Sequence, residues 1–135
     1  PNMRLLFIAI IFVLEEVVSQ DSENPLPEES KDVFETLHIM YTDHLEWSNE
    51  WAEKALEYVK SPSHVQGDMD IKGEGSFPRD ETLTEKILAV LEDDFVKNVG
   101  KLEDFPAGTV YGCNGTIKTN EEEDIVSAVC LYKKP

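Results

Sequence analysis

The chain has 135 residues, enough for one domain with a single modest hydrophobic core. Its 28 acidic and 12 basic side chains give a formal net charge of −16 at pH 7. Nucleic acids and anionic membrane surfaces repel such a chain, so we expect no nucleic-acid partner. Solubility explains the acidity more simply than a dedicated basic partner does.

Residues 1–19 have the layout of a secretory signal peptide. A single basic residue, Arg4, precedes an apolar run at 5–14 that is too short to span a bilayer. We predict cleavage near Ser19 and a secreted, extracellular protein with no membrane span in its mature chain. The acidic pair at 15–16 is unusual in such a segment and keeps a retained signal open as the alternative.

The next segments predict a flexible lead-in and three helices. Residues 20–30, rich in acid, proline and serine, are typical of a flexible lead-in to a domain at 31–135. Ser30 can cap a first helix, whose apolar face is formed by Val33, Leu37, Met40 and Tyr41. Ser48 can cap a second helix, whose stripe is formed by Ala52, Ala55, Leu56 and Val59.

A long irregular segment and a third helix follow. Two prolines and three glycines between Ser61 and Arg79 predict a loop, and long loops often carry sites. Thr82 and Glu85 have the spacing of a capping box, which predicts a third helix that ends near Gly100.

The last two segments predict an antiparallel hairpin around the polar turn at 119–124. The register that centres this turn places Cys113 opposite Cys130 and Tyr111 opposite Tyr132, on a face without charged residues. Two cysteines in an exported chain favour a disulfide, and its loop of about 16 residues predicts a stabilisation of roughly 3 kcal/mol. Neither cysteine then remains as a nucleophile.

Two polar features of the hairpin have alternative explanations. The triplet that begins at Asn114 is an N-glycosylation acceptor, and its place on the more polar face makes Asn114 a candidate glycosylation site. The acidic run at 121–124 resembles a calcium loop only in charge, so we predict a solvated hairpin tip.

Four patches resemble the CAP superfamily, which includes cysteine-rich secretory proteins, insect venom antigens, plant pathogenesis-related proteins and nematode-secreted proteins. They are Leu37-His38 followed by Leu45-Glu46-Trp47-Ser48 with Ala52 and Ala55, Ser63-His64 with Gly73-Glu74, Val99-Gly100-Lys101 to Gly112-Cys113, and the ending at 129–135. The resemblance to a short, divergent member spans 33–135. It implies an α+β fold, a small α/β/α sandwich with three main helices and a C-terminal antiparallel hairpin.

The resemblance also implies a candidate metal site. Typical members hold a divalent metal with two histidines and two glutamates, and His64 and Glu74 stand at the first two matching positions. Lys101 replaces the second histidine, and a charged lysine has no lone pair to offer a metal. The helix-borne glutamate is matched only by the acids at 92–94, so we predict a broken tetrad. His38 and His44 are expected to be helix-face and loop residues.

The leading hypothesis is a secreted, non-enzymatic binding or immunomodulatory protein that acts on an extracellular protein or lipid partner without a cofactor. Candidate contact surfaces are the segment 61–80, Phe77, Trp51 and Phe105, the last two being alternatively core residues. A second hypothesis is a divalent-metal-binding enzyme that uses His64, Glu74 and an acid from 92–94. A third is a secreted inhibitor of an unrelated α+β fold.

Overall fold

The computed structural model describes residues 23–135, without the side chain of His64. The signal peptide predicted at 1–19 lies outside the described residues. The helices are α1 (Ser30–Ile39), α2 (Asn49–Lys60), a short 3-10 helix η1 (Pro62–His64) and α3 (Leu83–Asp104). The strands are β1 (Glu23–Pro25), β2 (Glu46–Trp47), β3 (Met69–Pro78), β4 (Val110–Thr119) and β5 (Glu123–Lys133). Within 23–135, no helix has the length and apolarity needed to cross a bilayer.

The sheet has the strand order β1-β4-β5-β3, and the short β2 pairs in parallel with the end of β4 that β1 leaves free. Side chains alternate between the two faces of these strands. One face packs against α1 and α3 in the main core, which includes Phe34, Leu91 and Tyr132. The other face packs against α2 through Trp51 and Leu131. The structure is therefore the α+β sandwich with a C-terminal antiparallel hairpin that the sequence predicts.

The hairpin has the predicted register. Tyr111 lies opposite Tyr132 and Cys113 opposite Cys130, without a bulge from one end of the pairing to the other. The two cysteines form a disulfide and are 2% and 0% exposed. The bond therefore ties the two central strands together inside the core.

Two glycines allow the helices to lie directly on the sheet. A Cβ atom on Gly112 would stand 2.0 Å from the backbone nitrogen of Ala52 in α2. On the opposite face, a Cβ atom on Gly73 would stand 1.7 Å from the carbonyl oxygen of Val90 in α3. Both distances are far below contact, so any side chain at either position would push a helix off the sheet.

The loop predicted between Ser61 and Arg79 is wrong for its second half, because Met69–Pro78 forms β3. Gly73 and Gly75, two of the three glycines that suggest a loop, are instead positions where Val90 of α3 approaches the strand. Polar residues alternate with them on the outer face, as expected for an edge strand.

The predicted flexible lead-in is also wrong for its described part. Glu23 to Pro25 pair with β4, and Leu26 donates its backbone N–H to the carbonyl oxygen of Gly115 at 3.0 Å. Leu26 is only 7% exposed and packs over this glycine. The folded domain therefore begins before residue 31.

Two of the three predicted N-terminal helix caps, those at Ser48 and Thr82, are present in the structure. Ser48 Oγ accepts the backbone N–H of Trp51 at 3.2 Å, and Thr82 Oγ1 accepts that of Glu85 at 3.1 Å. Ser30 does not cap α1: it lies within the first turn, and its buried hydroxyl has no hydrogen-bond partner in the described chain. The third helix runs past Gly100 to Asp104.

The acidic hairpin tip is only partly solvated. Asp124 is 6% exposed, and its carboxylate accepts hydrogen bonds from Lys86 Nζ at 2.7 Å and from Thr119 Oγ1 at 2.8 Å. Burial acts to raise the pKa of Asp124, but these hydrogen bonds outweigh it and lower the pKa from its ordinary value. The pair fastens the hairpin tip to α3.

Candidate functional site

Two clefts lie along the outer side of β3, which is an edge strand of the sheet. The larger, about 650 Å³, lies between the start of β3 and residues of α2 and α3. The smaller, about 480 Å³, lies between the end of β3 and α3. Lys72 and Asp94 line both, so the two clefts meet at this pair. We call the combined surface the edge cleft.

Asp94 covers the strand edge at the meeting point. Its Oδ2 atom accepts the backbone N–H of Lys72 at 3.0 Å. Asn98, one turn further along α3, donates its amide to Asp94 Oδ1 at 3.3 Å and to the Asp94 carbonyl oxygen at 2.7 Å. A side chain of α3 therefore occupies the position where another strand would offer an acceptor.

The side chain of Lys72 connects β3 to α2. Its Nζ atom donates to the hydroxyl of Tyr58 at 3.0 Å, and that hydroxyl donates to Asp70 Oδ2 at 2.8 Å. The hydrogen bond with Tyr58, followed by the charge of Asp70, raises the pKa of Lys72. The larger cleft therefore presents a charged ammonium group held between an aromatic ring and carboxylates.

The predicted metal ligands are only partly brought together. Glu74 lies on β3 and lines the smaller cleft together with Asp93 and Asp94, whereas Lys101 lines the larger cleft. Glu74 also accepts a hydrogen bond from Ser127 Oγ at 2.9 Å. His64 ends η1, and because its side chain lies outside the described atoms, its pairing with Glu74 stays a prediction.

Elsewhere in the described chain, one trio of potential ligands converges: His38, Cys113 and Cys130, with ligand atoms within 4.8 Å of one another. Both sulfurs are already joined in the disulfide. The trio is therefore a packed part of the core, with no thiolate to offer a metal.

His38, which the sequence predicts to lie on a helix face, is a buried residue of α1. It is 2% exposed, stacks on Tyr111 with ring centres 4.0 Å apart, and meets Phe95 edge-on. Its Nδ1 atom lies 2.8 Å from the carbonyl oxygen of Phe34, which can only accept, so Nδ1 carries the proton. Nε2 then accepts from the hydroxyl of Tyr132.

The burial of His38 determines its charge. Desolvation lowers its pKa to about 4, because the charged form loses its hydration in the core. The spacing gave a usable signal, since His38 follows Phe34 by four residues and so shares its helix face. The buried face of α1 differs from the predicted one: it includes Phe34 and His38, whereas Met40, which was predicted to belong to it, is 68% exposed.

The other predicted surface residues divide between core and cleft. Trp51 and Phe105 are each 8% exposed and belong to the core, as the alternative interpretation stated. Phe77 is half-buried and lines the smaller cleft. Asn114 is half-buried beneath α2, and its Nδ2 atom, where a glycan would attach, donates to the carbonyl oxygen of Ala52 at 3.1 Å.

Comparison with known proteins identifies the family. Residues 33–134 match ES15, the family of the 15 kDa excretory/secretory protein. A relative, the 15 kDa excretory/secretory protein of Haemonchus contortus, is 31% identical over 112 residues, which cover 76% of each chain. No solved structure matches the chain.

These matches contradict the resemblance to the CAP superfamily, which is wrong. The patches that suggested it are short and have local causes in this fold. Gly112 precedes Cys113 because α2 lies on the strand, and Gly73 precedes Glu74 because α3 lies on β3. The predicted secretion agrees with the excretory/secretory character of the family, and the protein is secreted and extracellular. The chain belongs to the ES15 family of 15 kDa excretory/secretory proteins.

Proposed function

We propose that the protein is a non-enzymatic binding protein that recognises a host protein outside the cell through the edge cleft. Its relative is an excretory/secretory protein of a parasitic nematode, which supports a role at the contact between parasite and host. The edge cleft carries the proposal, because it combines an open strand edge with charged groups of both signs.

The chemistry of the cleft favours a protein partner over a lipid. A lipid site needs an enclosed and mainly apolar cavity. The edge cleft is open and is lined by the charged side chains of Asp68, Asp70, Lys72, Glu74, Asp93, Asp94, Lys97 and Lys101. Such a surface gives specificity through hydrogen bonds and paired charges, as in the polar rims of protein interfaces.

The ionisable groups of the core support a binding role rather than catalysis. Both ring nitrogens of His38 are engaged by Phe34 and Tyr132, and the ring is buried. Burial also raises the pKa of Tyr132 well above its ordinary value, so this hydroxyl stays protonated near neutral pH. These groups hold the core together and cannot reach a substrate in solvent.

The test is binding of the full-length, oxidised protein to host extracellular proteins. Partners captured from host plasma are identified by mass spectrometry, purified, and titrated against the immobilised protein by surface plasmon resonance. We expect saturable binding that the double variant Glu74→Lys, Asp93→Lys weakens at least tenfold, because both side chains line the smaller part of the edge cleft. Asp43→Lys, in the exposed loop that follows α1, is the charge-reversal control and keeps wild-type affinity.

Two outcomes would overturn the proposal. One is the lack of saturable binding together with hydrolytic activity that copurifies with the protein. The other is micromolar zinc binding, measured by calorimetry, that His64→Ala and Glu74→Ala each abolish, which would favour the metal-dependent alternative.

A further inference from the structure

The backbone of β3 presents hydrogen-bonding groups along the smaller part of the edge cleft. The N–H of Lys72 points away from β5, since it reaches Asp94 on α3. The pairing of β3 with β5 runs without a bulge, so the N–H groups of Glu74 and Ser76 point the same way. Neither has a hydrogen-bond partner in the described part of the chain. Pro78, two residues further, has no N–H and ends the row of donors.

The surroundings of this strand edge are acidic. Glu74 flanks it from the strand, and Asp93 and Asp94 flank it from α3, against Lys72 and Lys97. The whole chain has a net charge of −16. A second copy of this chain would bring two such edges together and would be repelled, whereas a basic segment would be attracted.

We infer that residues 74–78 of β3 accept an extended segment of the partner, bearing lysine or arginine, as an additional strand of the sheet. This inference rests on the binding function proposed above and specifies how the partner is held. Main-chain hydrogen bonds to Glu74 and Ser76 provide the affinity, and the acidic side chains select basic residues at alternate positions. Asp94 limits the added strand, because it already occupies the N–H of Lys72.

The probe is a fluorescein-labelled heptapeptide of alternating lysine and valine, titrated with the full-length protein and followed by fluorescence anisotropy. Ser76→Pro removes one outward N–H, and proline is tolerated on an edge strand when its missing donor faces solvent. We expect at least tenfold weaker peptide binding for Ser76→Pro and wild-type binding for the control Ser76→Ala. A glutamate–valine heptapeptide is expected not to bind.

Hydrogen exchange on the wild-type protein gives a second readout that does not depend on the folding of Ser76→Pro. The lysine–valine peptide is expected to slow exchange at the amides of Glu74 and Ser76. Absence of peptide binding, equal binding to Ser76→Pro, or equal binding of the acidic peptide would overturn the inference. If binding of the captured partner remains sensitive to Glu74→Lys, Asp93→Lys but not to Ser76→Pro, the edge pairing fails while the proposed function stands.

Discussion

The backbone nitrogen of Lys72 and the Oδ2 atom of Asp94 lie 3.0 Å apart across the outer edge of β3. An exposed edge strand is a template for pairing with other chains, and proteins commonly blunt such edges with charged side chains. Here the blunting group comes from α3 and acts at a single residue, which leaves the last part of the strand open. The hydrogen bond between Lys72 and Asp94 therefore blocks strand pairing at Lys72 and leaves the edge beyond this residue open to a pairing strand.

Replacement of Asp94 by alanine should open the edge at Lys72. The N–H of Lys72 would lose its acceptor and meet solvent, so we expect its amide hydrogen to exchange at least tenfold faster than in the wild-type protein. Hydrogen exchange read by NMR measures this at single residues. Asp93→Ala, on the adjacent exposed position, is the control and should leave the exchange of Lys72 unchanged. Unchanged exchange in Asp94→Ala would show that this hydrogen bond does not protect the amide.

The buried histidine predicts a loss of stability in mild acid. His38 has a pKa of about 4 in the folded protein and an ordinary value of 6.5, so unfolding takes up a proton between these values. Its contribution is fully present above pH 6.5 and is lost as the pH falls towards 4. The difference corresponds to about 3 kcal/mol, and urea unfolding at a series of pH values measures it.

Two variants separate His38 from other titrating groups. His38→Gln keeps polar atoms near Phe34 and Tyr132 but cannot take up a proton, so its stability should vary much less between pH 6.5 and 4. Thr36→Gln, at an exposed position of α1, changes no titrating group and should keep the wild-type slope. A wild-type slope in His38→Gln would assign the acid sensitivity to other groups.

Removal of one partner of the buried ion pair between Lys86 and Asp124 should lower the free energy of unfolding. Lys86→Met leaves the carboxylate of Asp124 buried and uncompensated, and we expect a loss of about 3 kcal/mol in the free energy of unfolding. The double variant Lys86→Met, Asp124→Asn removes the uncompensated carboxylate charge and keeps an acceptor for Thr119. We therefore expect it to recover at least half of the lost free energy of unfolding. Urea unfolding at pH 7 measures both, with the exposed Lys97→Met as control. No recovery in the double variant would contradict this explanation.

The parts of the fold that sequence predicts are those specified by local chemistry. The register of β4 and β5 follows from side-chain alternation, and the caps at Ser48 and Thr82 follow from hydroxyl groups placed before apolar runs. The strand β3 is not predicted, because its glycines are required by the close approach of α3, which lies more than ten residues further along the chain. Neighbouring residues in the sequence give no sign of this contact. Gly73 in particular is required only once Val90 of α3 lies over it.

The candidate site was harder to predict for the same reason. The edge cleft depends on Lys72 and Asp94, which are 22 residues apart in sequence and meet only when α3 packs on β3. Among the acidic residues that the sequence marks as candidates, Glu74, Asp93 and Asp94 do line one part of the cleft. The resemblance to the CAP superfamily is wrong, so the metal-binding roles that it implies for these acidic residues do not apply to this protein.

The packing of Asn114 predicts that the secreted, folded protein carries no glycan at this acceptor. Its Nδ2 atom donates to the carbonyl oxygen of Ala52 in α2, and the side chain is half-buried between strand and helix. A glycan on this nitrogen would displace α2 from the sheet, so modified chains should fail to fold and be retained. Intact mass of protein secreted from insect cells should not change after treatment with N-glycosidase.

A positive control shows that the same cells can glycosylate this chain. Glu122→Thr creates an acceptor triplet that begins at Asn120, in the exposed hairpin turn, and this variant should lose mass on the same treatment.

Asn114→Ala should lower the free energy of unfolding by about 1 kcal/mol, because the carbonyl oxygen of Ala52 loses its donor. Recovery of folded wild-type protein with a glycan on Asn114 would show that α2 can move away from β4 without loss of the fold.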